Sequence, residues 1–166
     1  MTSAGVRELL VSELRSVPSR HTLPGSDDAG GTFVHCRVVA DTQQTLYEAV
    51  GGMPFFERLV DRFYDGVAAD PVLLRLYPEQ EDLAPARHRL TLFLAQYWGG
   101  PSTYNDERGH PRLRMRHAPF AIGPDERDHW LVAMRAAIAS MDPPEPVAQA
   151  LHEYFDMAAE SMRNQF

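Results

Sequence analysis

The chain has 166 residues, a length that suits one domain with a sizeable hydrophobic core. Its formal net charge of −7 disfavours nucleic acid as a partner, because phosphates would be repelled over most of the surface. The single cysteine, Cys36, excludes an internal disulfide and fits a reducing cytoplasm, and no apolar run reaches the roughly 18 residues that a membrane span needs.

Residues 1–44 are predicted to form an N-terminal extension that is poorly ordered, as chain termini often are. The stretch "VRELLVSELRSV" has the spacing of a short amphipathic helix, and "PGSDDAGG" is typical of a flexible break. The stretch "TFVHCRVV" fits either a short strand or an extended apolar arm. We assign no chemistry to this extension.

From residue 45 onward the apolar residues recur at intervals of three and four, which predicts helices. Gly51-Gly52 permits a sharp turn into the first long helix. Pro71 and Pro78 confine "VLLRLY" to a short helical piece. The core face of the first long helix is predicted to contain Phe56, Leu59, Val60, Phe63, Tyr64 and Val67, and that of the next helix Ala86, Leu90, Phe93, Leu94 and Tyr97.

The second half of the chain continues the helical pattern. Residues 99–109 are predicted to be a loop, since they are polar and rich in glycine. Two prolines then restrict "HPRLRMRHAPF", residues 110–120, to a short helix. Longer helices are predicted to begin at "GPDE", residues 123–126, and after "DPPEP", residues 142–146. Because no period-two pattern occurs between 45 and 166, the predicted fold class is all-α.

The histidines and cysteine favour no structural zinc site, since there is no HxxxH pair and no cysteine pair. Haem is different, because the porphyrin supplies four nitrogens and the protein needs to supply only one axial histidine. It also needs an apolar slot and cations at its edge. The predicted wall residues are Phe63, Leu90, Phe93, Phe120 and Met134, and the predicted edge cations are Arg89 and Arg116. Arg112 and Arg114 are expected to be solvated, and His110 to make a hydrogen bond within its loop.

Five stretches in order, "LYEAVGG", "RFYDGVAADPVLLRLYP", "FLAQYWGGPSTY", "GHPRLRMRHAPF" and "DHWLVAM", resemble the group II truncated haemoglobins. The resemblance runs from about Leu46 to Met162. It implies a truncated globin domain over residues 45–166, with a two-over-two helical sandwich around haem b. The N-terminal extension lies outside this family pattern. The stretch "PEQEDLAP" is about one residue longer than expected, although the Leu90, Phe93 and Tyr97 spacing supports the register of Ala86 and Leu90.

The resemblance also implies roles for individual residues. His117 matches the proximal iron ligand. The distal face is implied to contain Tyr64, Tyr77, Trp130, Ala86 and Leu90. Ala86 cannot donate a hydrogen bond, so the polarity of this face must come from the two phenols and the indole.

The expected function is the binding of dioxygen and other diatomic gases at a five-coordinate haem iron. Three donors predict slow oxygen release, which favours redox chemistry on the bound gas: nitric oxide oxidation or peroxide reduction. The chain has no flavin or nicotinamide motif, so such an enzyme would need a reductase. Two alternatives stay open: a globin for oxygen storage, transport or gas sensing, and a haem-free helical interaction module. A homodimer is also left open.

Overall fold

The computed structural model describes residues 44–78 and 80–165. The predictions made for residues 1–43 therefore lie outside the described part. In the described ranges the chain forms eight helices and no strand, which confirms the all-α class. No helix among them is long and apolar enough to cross a membrane. The helices are α1 (Leu46–Ala49), α2 (Met53–Ala69), α3 (Pro71–Leu74), α4 (Ala84–Tyr97), α5 (Thr103–Arg108), α6 (Leu113–His117), α7 (Pro124–Met141) and α8 (Glu145–Met162).

The core forms around α2, whose apolar face is buried as its spacing predicts. This helix packs against both α4 and α7, and α7 packs in turn against α8. The pairs α2 with α4 and α7 with α8 therefore form two layers. The largest side chains that are fully enclosed are Phe56, Phe63, Leu59, Leu73, Leu94, Met134, Ile138, Leu151, Val60 and Val67.

Glycines allow the first helix to approach the end of α4 closely. The Tyr47 amide donates to the Trp98 carbonyl at 3.0 Å, which ties α1 to this end. A Cβ atom at Gly100 would lie only 2.7 Å from the Tyr47 ring and from the Ala95 carbonyl. Gly99 has a φ of +95°, in the region that favours glycine. Close packing therefore requires glycine at both positions of this turn.

The prediction of a loop over residues 99–109 is wrong in part, because α5 occupies Thr103–Arg108. Tyr104 is buried, and its ring centroid lies 5.6 Å from that of Phe93. The Asn105 amide also donates to the Gln96 side chain at 3.0 Å. Both contacts come from α4, so tertiary packing favours a helix that the polar composition does not predict. Gly109, with a φ of +69°, ends it.

An ion pair fixes α7 against the junction of α2 and α3. The Asp70 carboxylate caps α3 by accepting from the Val72 amide at 2.8 Å. Its second oxygen accepts from His129 Nδ1 at 2.6 Å. The hydrogen bond with Asp70 raises the pKa of His129, and the same contact lowers the pKa of Asp70. The strength of the contact at this junction therefore depends on pH.

We expect Asp70→Asn to move the pKa of His129 back toward its ordinary value, because asparagine keeps the helix cap but loses the charge. The raised pKa of His129 implies a contribution to stability that is present at low pH and lost as pH rises through the folded-state pKa. The lowered pKa of Asp70 implies a contribution that is lost as pH falls through its own folded-state pKa. The pair therefore stabilises the junction in the pH range between the folded-state pKa of Asp70 and that of His129.

The measurement is an NMR titration of the imidazole C–H resonances in both proteins. His152, on α8, lies outside this ion pair and is the internal control. Equal titration midpoints for His129 in wild type and Asp70→Asn would contradict the assigned contact.

Candidate functional site

The residue predicted to be the proximal ligand, His117, is the last residue of α6. Its side chain is half-buried, and Nδ1 lies 2.8 Å from the Leu113 carbonyl oxygen. A carbonyl only accepts, so Nδ1 carries the proton and Nε2 keeps its lone pair. Iron-ligating and zinc-ligating histidines are oriented by the same kind of hydrogen bond. The short helix thus presents one imidazole nitrogen that is ready to bind a metal.

The segment around His117 is held by two side chains. Arg116 donates from Nε to the Pro111 carbonyl at 2.8 Å and from Nη2 to the Arg108 carbonyl at 2.9 Å. The sequence assigned Arg116 to the edge of the haem, and the structure shows these two donors directed at the loop that precedes α6. His110 accepts from the Arg112 amide at 3.3 Å, in agreement with the hydrogen bond predicted within this loop.

Asn164 holds the other side of the proximal segment and was not predicted from the sequence. Its Nδ2 donates to the carbonyls of Phe120 at 2.8 Å and His117 at 3.3 Å. Its Oδ1 accepts from the Ile122 amide at 3.0 Å. An asparagine just beyond the last helix gives no sequence signal for such bonds, because all three partners are backbone groups about 40 residues away along the chain.

On α2 and after α3, two of the predicted distal residues meet directly. Tyr64 is buried, and its ring centroid lies 5.6 Å from that of Tyr77 in an edge-on arrangement. Burial raises the pKa of Tyr77, and the neighbouring Tyr64 raises it further, whereas the charge of Arg89 opposes the shift. The phenol of Tyr77 is therefore protonated throughout the neutral range and remains a hydrogen-bond donor.

Trp130, on α7, joins the same aromatic group. Its ring centroid lies 5.0 Å from Phe63, which is in turn 5.0 Å from Tyr64. The ring centroid of Phe155, on α8, lies 5.6 Å from that of Trp130. The structure therefore brings the three predicted donors together as one cluster, which we call the distal aromatic cluster and define as Phe63, Tyr64, Tyr77 and Trp130.

The other predicted wall residues surround this cluster to different degrees. Ala86 and Met134 are buried in the same core, and Leu90 and Phe93 are half-buried against it. Phe120 lies three residues after His117, on the proximal side, where Asn164 holds its carbonyl. His117 itself lies on α6, which packs against α8.

Arg87 is a second residue that was not predicted from the sequence. Its guanidinium carbon lies 5.6 Å from the centre of the Tyr64 ring, in a cation–π arrangement. The same group forms ion pairs with Asp61 at 3.1 Å and Asp65 at 2.9 Å, both on α2. It follows Ala86 directly, so it fixes the face that α4 turns toward Tyr64.

The side chains of this site fit haem as the bound group. Within the described residues, no group of three or more His, Cys, Asp or Glu side chains is placed to hold a metal ion. His117 offers one oriented nitrogen, and a porphyrin would supply the remaining four. The aromatic and aliphatic side chains of α2, α4 and α7 supply apolar surface, and the phenols and the indole supply donors.

Comparisons with known proteins agree with this assignment. The model of the bacterial-like globin family matches residues 45–164. A group 2 truncated hemoglobin of Bacillus subtilis is 38% identical over 119 residues, which cover 72% of this chain and 88% of that protein. The crystal structure of a thermostable hemoglobin from Thermobifida fusca has a TM-score of 0.71 and 61% identity, and the match covers 72% of this chain and 97% of that one. A truncated oxygen-avid haemoglobin from Bacillus subtilis has a TM-score of 0.68 and 37% identity, over 72% of this chain and 99% of that one.

The matches confirm the resemblance found in the sequence. The similarity to solved truncated haemoglobin structures confirms the predicted two-over-two arrangement. The family model leaves residues 1–44 outside the matched range. The chain belongs to the bacterial-like globin family as a group II truncated haemoglobin, a globin that binds haem and oxygen.

Proposed function

We propose that this globin holds haem b through His117 Nε2, binds dioxygen tightly on the opposite face, and uses it in redox chemistry rather than carrying it. Haem supplies the gas-binding position and accepts the electrons, and the protein chain sets the affinity of that position. The single cysteine, Cys36, supports a reducing cytoplasm as its compartment.

The observation that carries the proposal is the hydrogen bond from His117 Nδ1 to the Leu113 carbonyl. It leaves Nε2 as the only ring nitrogen able to ligate, and it holds the ring in one orientation. A hydrogen-bonded imidazole is also a stronger electron donor to its metal than a free one. The Arg116 and Asn164 contacts keep this ligand in place.

Tight binding of dioxygen follows from the distal aromatic cluster. Tyr64, Tyr77 and Trp130 each carry a donor, and the pKa of Tyr77 is raised, so that phenol remains protonated. A hydrogen bond to a partly charged acceptor is worth about 1.5–3 kcal/mol, and each 1.4 kcal/mol slows dissociation about tenfold. The related Bacillus subtilis structure is described as oxygen-avid, which supports the same interpretation.

Slow release makes a poor carrier and favours consumption of the bound gas. In nitric oxide oxidation, one nitric oxide, one dioxygen and one electron give one nitrate ion. The electron has to come from a reductase or a small reductant. Peroxide reduction is the second reaction that this site supports, and it likewise needs external electrons.

The absorption spectrum of the purified full-length chain tests the haem assignment. We expect a Soret band in the ferric and ferrous forms, and a sharp shift of this band when carbon monoxide is added to the ferrous protein. A protein purified and reconstituted with haem that shows no Soret band would support the haem-free interaction module instead. Rapid oxygen release together with no nitrate production in the presence of a reductase would favour oxygen storage or transport.

A further inference from the structure

The segment that leads into α6 carries a concentration of positive charge. Four of the chain's 16 basic residues, Arg108, Arg112, Arg114 and Arg116, fall within nine positions. No acidic residue occurs between Glu107 and Asp125, although the chain as a whole has a net charge of −7. This part of an acidic protein is therefore cationic.

The charges lie at the surface beside an apolar side chain. Arg108, Arg112 and Arg114 are exposed, and the side chain of Met115 is 60% exposed. We call the surface formed by Arg108, Arg112, Arg114 and Met115 the arginine surface. The two hydrogen bonds of Arg116 to the carbonyls of Arg108 and Pro111 fold the preceding loop against α6. Arg108 therefore lies close to the other members of the surface.

The arginine surface differs from several other cationic positions of the fold. Arg87, Arg127 and Arg135 each form an ion pair with a carboxylate. Among the residues that the structure describes, no carboxylate forms such a pair with Arg108, Arg112 or Arg114. Like charges held together without counter-charges repel one another, so their positive potential remains available to an incoming negative surface.

The arginine surface is also connected to the proposed iron ligand by a short path. Leu113 lies between Arg112 and Arg114 in the chain, and its carbonyl accepts the hydrogen bond from His117 Nδ1. A protein seated on this surface would be one residue and one hydrogen bond away from the imidazole. Electron transfer weakens steeply with distance, so this is a favourable place for an electron donor to bind.

We propose that the arginine surface docks an acidic electron-transfer protein that carries a flavin or an iron–sulfur cluster. The proposal rests on the function proposed above, since that chemistry requires electrons and the chain has no motif for a redox partner of its own. One electron passes from the reduced partner to the ferric site, so the partner is oxidised by one electron and the globin is reduced by one. An exposed apolar side chain next to charged residues in the chain suits a transient complex, in which charge steers association and a small apolar contact orients it.

The test uses a reduced plant-type ferredoxin as an acidic one-electron donor. It is mixed with ferric globin under carbon monoxide, and the ferrous carbonyl Soret band reports reduction. At low ionic strength we expect R112E/R114E to lower the second-order rate constant by about tenfold or more, because steering contributes about 10- to 1000-fold to association rates. We also expect added salt to slow the wild type and not this variant.

The matched control is R58E/R62E, which changes the net charge by the same amount at two exposed positions of α2. It should keep the reduction rate within about twofold of wild type, since steering depends on local rather than total charge. Photoreduced lumiflavin, which is neutral and small, should reduce all three proteins at equal rates.

In protein with a normal Soret band, three outcomes would contradict the proposal that the arginine surface is a docking site. Equal losses in both double variants would show that only total charge matters. A loss with lumiflavin as well would place Arg112 and Arg114 at the haem instead. Unchanged ferredoxin rates, together with loss of binding to phosphatidylserine vesicles in R112E/R114E, would assign the surface to a lipid membrane. Absence of the Soret band in the wild type contradicts the proposed function, and the two failures are thus distinguishable.

Discussion

Replacing His117 by alanine is expected to remove most of the Soret absorbance of the purified protein. The imidazole is the axial ligand that we propose, and its Nε2 is available because Nδ1 is hydrogen-bonded to the Leu113 carbonyl. The loss of that hydrogen bond costs about 0.5–1.5 kcal/mol, against about 5–15 kcal/mol for the stability of a typical domain. The variant should therefore fold and fail to hold haem.

The measurement is the ratio of Soret to protein absorbance, with far-ultraviolet circular dichroism as the check on folding. His110→Ala is the matched control, because His110 lies in the same segment, is exposed, and accepts a hydrogen bond within its loop. It should leave the ratio unchanged. His117→Gly with added imidazole should recover the band. If His117→Ala kept the ferrous carbonyl spectrum of the wild type, the ligand assignment would be wrong.

Most of the helical framework could be predicted from the sequence, because burial in a helix requires apolar residues at spacings of three and four. The face of α2 follows this rule, and the short α6 lies between its prolines as predicted. The helix α5 could not be found in the same way. It exists because Tyr104 is buried against Phe93, a contact between elements that local composition does not encode.

The candidate site likewise contains residues that could be predicted from the sequence and residues that could not. The distal residues follow from the family resemblance, since Tyr64, Tyr77 and Trp130 are single positions within longer motifs, and the structure places them in one cluster. Asn164 and Arg87 act through backbone carbonyls and through the face of a ring. Such partners have no residue-type pattern in the sequence. They become visible only once the chain is folded.

The distal donors lead to the second large effect, on the rate of dioxygen release. Tyr77→Phe and Trp130→Phe are each expected to speed release about 10- to 100-fold, because each removes one donor to a partly charged ligand worth about 1.5–3 kcal/mol. The phenylalanine ring at position 77 keeps its edge-on contact with Tyr64. The loss can then be ascribed to the hydroxyl group rather than to a cavity.

Tyr64 and Tyr77 should not act independently. Their ring centroids lie 5.6 Å apart and Tyr64 contributes to the raised pKa of Tyr77, so a change at one phenol alters the surroundings of the other. We therefore expect Tyr64→Phe/Tyr77→Phe to differ from the product of the single effects, as is usual for residues in contact. Tyr47→Phe is the control, because Tyr47 stacks on Phe56 outside the distal aromatic cluster. It should release dioxygen at the wild-type rate.

Stopped-flow mixing of the oxygenated protein with excess carbon monoxide and dithionite measures these rates. Carbon monoxide is a much weaker hydrogen-bond acceptor than dioxygen, so its own dissociation should change far less in every variant. This difference separates the loss of a donor from a general opening of the pocket, which would accelerate both gases together. Fast release in the wild type, unchanged in Tyr77→Phe and Trp130→Phe, would remove the physical basis for redox chemistry on a retained ligand and leave oxygen transport as the better interpretation.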